Sequence, residues 1–381
     1  MSHSFFHLAV CFAATIGQVA RAENITPPSE PMSIEELVTT TVALNPELRF
    51  YEAEIVAAKA DRHSAGLLSN PVLSSDVGPM RTRDRDGNLA GEGVAWSVSV
   101  MQAFDWPGRI GLRKAIANRD IELAELGLAR FRASLAARVR TLAYGLFASQ
   151  EKAIAADEVA GRLRELKEVL VQRDPAGVTP LLEARVIEAT ELSAQRQASE
   201  FALALESGVL ELNAIRGLTN TASIAVQPVQ LDFRPVSDRA QLIALARTNN
   251  FELRLRAVEL EQQGFRVDLA KNERWPSISL GPQIWQQNAA DNQRSIGVGV
   301  SFPLPLWDRN SSRIQSAKAR QIQAETLLAV AQRDTERQVA QALATYATKL
   351  REMSRWRPEA VAHFREAADL ADRHYRLGAV P

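Results

Sequence analysis

Few residues in this chain are spaced for chemistry. Beyond residue 22 the histidines are His63, His363 and His374, far apart, with no His-x-x-x-His or His-x-x-Glu-His spacing to hold a metal. Cys11 is the only cysteine, so removal of a leader would leave no disulfide and no thiolate ligand. Gly297-Val298-Gly299 is no dinucleotide loop, because no third glycine follows and no helix begins there. Asp84 and Asp86 sit in a charged loop, solvated rather than poised for acid–base work. Lys and Arg balance Asp and Glu at 45 each, so no basic face points to nucleic acid. These residues argue against an enzyme and show no catalytic, cofactor or metal site. The legible chemistry is that of surfaces: strands with one apolar face, and glycines at two helix turns.

The elements that carry those surfaces occur twice. Leu37, Glu47, Leu48 and Pro71 recur as Leu242, Glu252, Leu253 and Pro276, all 205 residues on. Arg109 recurs as Arg309 at 200, and Gly177 and Pro180 as Gly378 and Pro381 at 201. The drop falls between Pro71 and Arg109, in the hairpin segment, where a length change is cheap. A constant spacing with the same order of elements is the mark of an internal repeat. Each copy reads short helix, helix, β-hairpin, long helix. The first spans 32–217, with a hairpin at about 71–104 and long helices over 110–173 and 180–216. A polar connector covers 218–237. The second copy covers 238–381, with a hairpin at about 276–304 and one long helix over 308–376.

The helices are too long for an ordinary globular domain. Met32 to Leu44 reads as a short helix with Ser33 and Glu36 in a capping box. Asn45-Pro46 breaks it and starts a second helix to about Ser69. From Ile110 to Arg173 there is no proline, which gives a helix about 90 Å long at 1.5 Å per residue. Leu128, Phe131, Leu135, Val139, Leu142 and Leu146 step by three and four along it, as do Val339, Leu343, Tyr346, Leu350 and Met353 later. That heptad-like seam seeks a neighbouring helix. Asp174 to Pro180 makes a tight helix-to-helix turn, and Gly217 closes the returning helix.

The strands have membrane length. Val94, Trp96, Val98 and Val100 alternate with small or polar residues, and so do Ile296, Val298, Val300 and Phe302. Runs of about 10 residues with one apolar face fit a barrel that has lipid outside and water inside. Partner strands are expected from Pro71 to Gly78 and from Pro276 to Gln286, joined by polar loops at Met80–Gly87 and Asn288–Arg294. Trp106, Trp275 and Trp307 stand where strand meets helix, as an interfacial aromatic belt would. Four strands cannot close a barrel, so the open edges require other chains. At the N-terminus Phe5 to Ile16 is too short to span a bilayer. With Ala20-Arg21-Ala22 it reads as a secretory signal cut after residue 22. Leu8-Ala9-Val10-Cys11 resembles a lipobox, though Val10 is bulky there.

Asn45-Pro46-Glu47-Leu48, Leu68-Ser69-Asn70-Pro71-Val72-Leu73 and Gln102-Ala103-Phe104-Asp105-Trp106-Pro107-Gly108-Arg109, with the two glycine turns, resemble the TolC-like outer-membrane efflux proteins over residues 32–381. Gly-Leu-Leu-x-Asn-Pro before the first strand and x-Pro-Gly-Arg after the second are similar to the heavy-metal and cation efflux branch. The resemblance implies a mainly α fold with membrane β. Long antiparallel helical hairpins form an α-barrel in the periplasm, and four strands per protomer enter a 12-stranded barrel of a homotrimer in the outer membrane. It implies that Gly177, Val178, Thr179, Gly378, Ala379 and Val380 form tips that dock a periplasmic adaptor, which links to an inner-membrane pump. The function implied is a passive export duct for metal cations or small toxic compounds. The counterpart of the 180–216 helix is absent after Pro381, so a C-terminally truncated chain is expected. The alternatives are a periplasmic adaptor, which would lack duplicated alternating strands, and a non-conducting helical envelope scaffold, which would not need the Val94–Val100 stripe.

Overall fold

The computed structural model describes residues 31–173, 181–218, 224–227, 233–235, 238–289, 291–355 and 360–376. The leader with Cys11 and both glycine turns lie outside the described residues. The elements run α1 Ile34–Leu44, α2 Leu48–Ala65, β1 Val72–Arg83, β2 Leu89–Phe104, α3 Arg109–Arg173 and α4 Leu181–Arg216, then α5 Arg239–Asn249, α6 Phe251–Asn272, β3 Ile278–Asn288, β4 Asn292–Ser301, α7 Ser311–Ser354 and α8 Ala360–Arg376.

The seam on α3 does what its spacing demands. α3 is one unbroken helix of 65 residues, about 98 Å long. Leu135, Val139, Ala143 and Leu146 are buried against Ile34, Leu37 and Val38 of α1 and Leu212 of α4. Tyr51 of α2 stacks on Phe131 with ring centroids 4.5 Å apart. Small α3 residues such as Ala143 let the helices approach closely.

Local signals pin α1 in this wedge. The Ser33 hydroxyl accepts from the Glu36 N–H at 3.2 Å, capping the helix. Buried Asn45 caps the next turn through the Glu47 N–H and donates its amide to the Ile215 carbonyl at 2.7 Å. α4 ends in a Schellman turn, with the Leu218 N–H on the Asn213 carbonyl and Gly217 at φ 69°. The connector returns at 224–227, where Met32 and Val226 form a parallel bridge. Arg140 donates two hydrogen bonds to Glu35, at 2.8 and 2.7 Å, and this holds the Glu35 carboxyl below the usual glutamate range. That link is complete above the ordinary glutamate pKa and is lost as pH falls through the lowered one.

Several boundaries differ from those expected. α2 stops at Ala65, not Ser69, because Gly66 follows it. The single helix expected over 308–376 is two: α7 ends at Ser354 and α8 begins at Ala360. The sequence carries Pro358 there, which lacks an N–H and whose ring would collide with the Ser354 carbonyl in a continuous helix. Much of the two expected polar loops is strand. Met80 to Arg83 pair with Gly93 to Leu89, and Asn292 to Arg294 pair with Asn288 to Gln286. Polar residues are acceptable in a ladder where both faces meet water, and Arg81 forms a 2.9 Å ion pair with Glu92 across it. The first turn is only Asp84–Asn88. There the Asp84 carboxylate accepts from the Asp86 and Asn88 N–H groups and Gly87 takes φ 86°.

The four strands form one antiparallel sheet in the order β1-β2-β3-β4. The β2·β3 ladder joins the two copies of the repeat. It brings the backbones so close that a Cβ at Gly281 would fall 1.7 Å from the Val100 carbonyl oxygen.

The structure also corrects the alignment of the two copies. Gly108 and Asn310 both have positive φ, and each carbonyl accepts the first helical bond, from Leu112 and Ile314. β2 and α3 therefore match β4 and α7 at an offset of 202. Arg109 corresponds to Ser311, not to Arg309, which is exposed where Arg109 is buried.

Candidate functional site

The pairing register sorts the sheet into two faces. One carries Leu73, Val77 and Pro79 of β1, Val94, Trp96, Val98, Val100 and Phe104 of β2, Ile278, Leu280 and Ile284 of β3, and Ile296, Val298 and Val300 of β4. Ser75 and Gln102 interrupt it. Near the hairpin turns the same face turns polar, with Arg81, Glu92, Gln286, Asn288 and Arg294. From Val94 to Phe104 the apolar run is about 33 Å along the strand. Tilted by about 40°, it makes a band about 25 Å tall, the height of the apolar belt on a membrane barrel. The band is open in a single copy: Val77 is 79% exposed, Val298 74% and Ile296 72%. Exposed apolar surface this continuous demands a partner or a lipid phase.

The opposite face is mostly small or polar: Ser74, Gly78, Ser97, Ser99, Ser279, Gln283, Ser295, Gly297 and Gly299, with Val72, Met80, Met101 and Trp285 as the larger exceptions. The sequence reading passed over Asp76, the only charged side chain on this face from Val72 to Thr82 and across β2–β4. Its signal was a lone acid in the otherwise uncharged run Val72–Gly78. The Ser97 hydroxyl donates to it at 3.0 Å.

Where strands enter helices a collar ties the two copies of the repeat together. Arg109 of α3 is buried and crosses to the α6–β3 junction. It donates to the Asn272 side chain at 3.1 Å, the Ser277 hydroxyl at 2.9 Å and the Asn272 and Trp275 carbonyls, with Asp105 at 3.3 Å as its charge partner. Arg113 holds the other oxygen of Asp105. Trp106 stacks on Trp275, centroids 5.1 Å apart and planes 14° apart. Trp307 joins neither and is 94% exposed. Phe302 lies one residue past β4, outside the strand, and is also exposed. In the second copy buried Asn310 donates to the Ala270 carbonyl at 2.6 Å.

The six tip residues lie outside the described residues. The other strand residues singled out in the sequence are brought together on one face, and two of the three tryptophans meet. Among the described residues no cluster of three acidic, histidine or cysteine side chains could hold a metal.

Residues 242–381 match the family model for outer membrane efflux protein. The cobalt-zinc-cadmium resistance protein CzcC of Cupriavidus metallidurans is 23% identical over 319 residues, covering 81% of this chain and 73% of the relative. The chain is similar to the outer membrane efflux proteins over residues 242–381. The nickel-cobalt-cadmium resistance protein NccC of Alcaligenes xylosoxydans xylosoxydans is 24% identical over 337 residues, 84% of this chain and 71% of that one. The fold is that of the Campylobacter jejuni CmeC outer membrane channel, with a TM-score of 0.70 at 16% identity over 98% of this chain and 86% of that one. The fold, long helices continuing from a four-stranded sheet, is the one this channel structure shares.

Proposed function

We propose that three copies close their sheets into one 12-stranded barrel and export divalent metal cations through its water-filled lumen. The observation that carries this reading is the four-stranded sheet itself. It has one apolar face, β1 and β4 each have a neighbour on one side only, and the sheet continues into long helices, α3 of about 98 Å and α7 of about 66 Å. Val94, Trp96, Val98, Val100, Ile296, Val298, Val300 and Phe302 then face lipid, and Trp106, Trp275 and Trp307 lie at its periplasmic boundary.

The internal repeat supplies the register for closure. β3 matches β1 at 205 and β4 matches β2 at 202, so β4 can meet a neighbouring β1 as β2 meets β3 here. Carrying over the pairs Phe104↔Ile278 and Val98↔Ile284 sets Leu306 opposite Leu73 of the partner subunit and Val300 opposite Pro79 of the partner subunit. Apolar faces then meet apolar faces along the seam. In this pairing Phe302 to Leu306 lengthen β4, which accounts for the exposure of Phe302, Leu304 and Leu306 in one copy.

The turns at Gly177-Val178-Thr179 and Gly378-Ala379-Val380 are proposed as the docking points for a periplasmic adaptor and, through it, an inner-membrane pump. Bare glycine backbone lets a partner hairpin pack closely. The cargo follows from the names of the relatives, which are resistance proteins for cobalt, zinc, cadmium and nickel. Cells deleted for this gene should accumulate Co²⁺, Zn²⁺ or Cd²⁺ and lose tolerance of at least one, with restoration by the full chain. Unchanged accumulation and tolerance of all of these metals would contradict the cargo.

A further inference from the structure

Asp76, Ser97, Trp285 and Ser295 lie in one row across the ladder, since Asp76 pairs with Ser97, Ser97 with Trp285 and Trp285 with Ser295. A hollow opens along this row, lined by Asp76, Gly78, Ala95, Ser97, Trp285 and Gln287. Its carboxylate is the single charge on the small-residue face. Its indole is held against Gly297, where a Cβ would come 3.6 Å from the ring, and is 37% exposed. A carboxylate attracts a hydrated cation through water, and an exposed indole face adds a weaker attraction of about 0.5–1 kcal/mol. Neither has a cationic side chain beside it on this face: Arg81 and Arg294 lie on the other, and Arg83 turns back to the Gly87 carbonyl at 2.9 Å.

We propose that the Asp76–Trp285 hollow is a weak cation site, repeated in each copy around the lumen, that favours cations over anions in the duct. This rests on the reading that the small-residue face lines a water-filled lumen. The site is weak by construction. One carboxylate per copy cannot chelate, and a conduit must release what it attracts.

The local potential can be read directly. With Cys11 as the only native cysteine, Ser97→Cys places a unique thiol beside Asp76 in the mature channel. In outer membranes the ratio of its modification rates by a cationic and an anionic methanethiosulfonate should fall about fourfold or more when Asp76→Asn is added. Asp76→Glu should restore it. The ratio cancels any change in thiol acidity. Trp285→Leu, which leaves the charge, should lower it about twofold. A ratio indifferent to Asp76→Asn in a reactive channel would overturn the site and leave the duct intact. A ratio unmoved by Trp285→Leu would remove the indole from it. A thiol that reacts with neither reagent would overturn the wet-face reading as well.

Discussion

Arg109 stands where a strand, a long helix and the second copy of the repeat meet, and its guanidinium uses all three nitrogens there. Removing it takes the donor from two carbonyls and the Asn272 side-chain oxygen in a mostly buried collar and leaves Arg113 as the one cation on Asp105, a loss of about 2–4 kcal/mol. Arg109→Met should lower the unfolding temperature of the detergent-solubilised protein by about 5 °C or more. Arg109→Lys should not rescue it, because one ammonium cannot reproduce a planar fork. Unchanged melting in both would remove the collar from the account. The sequence draws attention to Arg109 through an apparent match with Arg309, yet its partners across the collar lie 163 to 168 residues away and could not be read from spacing. The positive-φ pair Gly108 and Asn310 is the truer correspondence. Chemical difference hides it, since glycine and asparagine meet the same backbone demand by different means.

At the scale of elements, periodicity carried most of the fold. Steps of three and four gave α3 and its seam, and alternation gave β2 and β4, because burial on one face leaves the strongest trace in sequence. Where both faces are wet that trace vanishes, which is why Met80–Arg83 and Asn292–Arg294 read as loops and fold as strands. Pro358 marks the break between α7 and α8 in the sequence itself. The two faces of β2 make a paired test. Val98→Arg places a charge in the apolar band at a cost of about 2–4 kcal/mol if that band lies in lipid, whereas Ser99→Arg points into water. Val98→Arg should impair outer-membrane assembly, seen as loss of heat-modifiable mobility on gels, and Ser99→Arg should assemble. Equal tolerance of both would contradict the face assignment.

In the proposed assembly the internal β2·β3 seam serves as the template for the seam between copies. In the first copy α3 and α4 bury Leu37 of α1. In the second, Leu242 sits half-buried in an open apolar hollow with Val339, Ala342, Leu343 and Tyr346. The sequence offers the recurring order of elements and the expectation of partner chains, but not the seam register, which requires the 202 offset that only backbone geometry exposes. That register makes closure testable at one pair of residues. Ser301 should face Gly78 of the partner subunit on the lumenal side, and Gly78 has open space for a side chain. We would make Ser301→Cys with Gly78→Cys in the full chain, oxidise it in outer membranes and run it on a denaturing gel without reductant. A covalent species that stops at three chains, absent when Gly297→Cys replaces Ser301→Cys, is the predicted result. Monomer alone, or an open-ended ladder, would contradict a barrel closed by three copies.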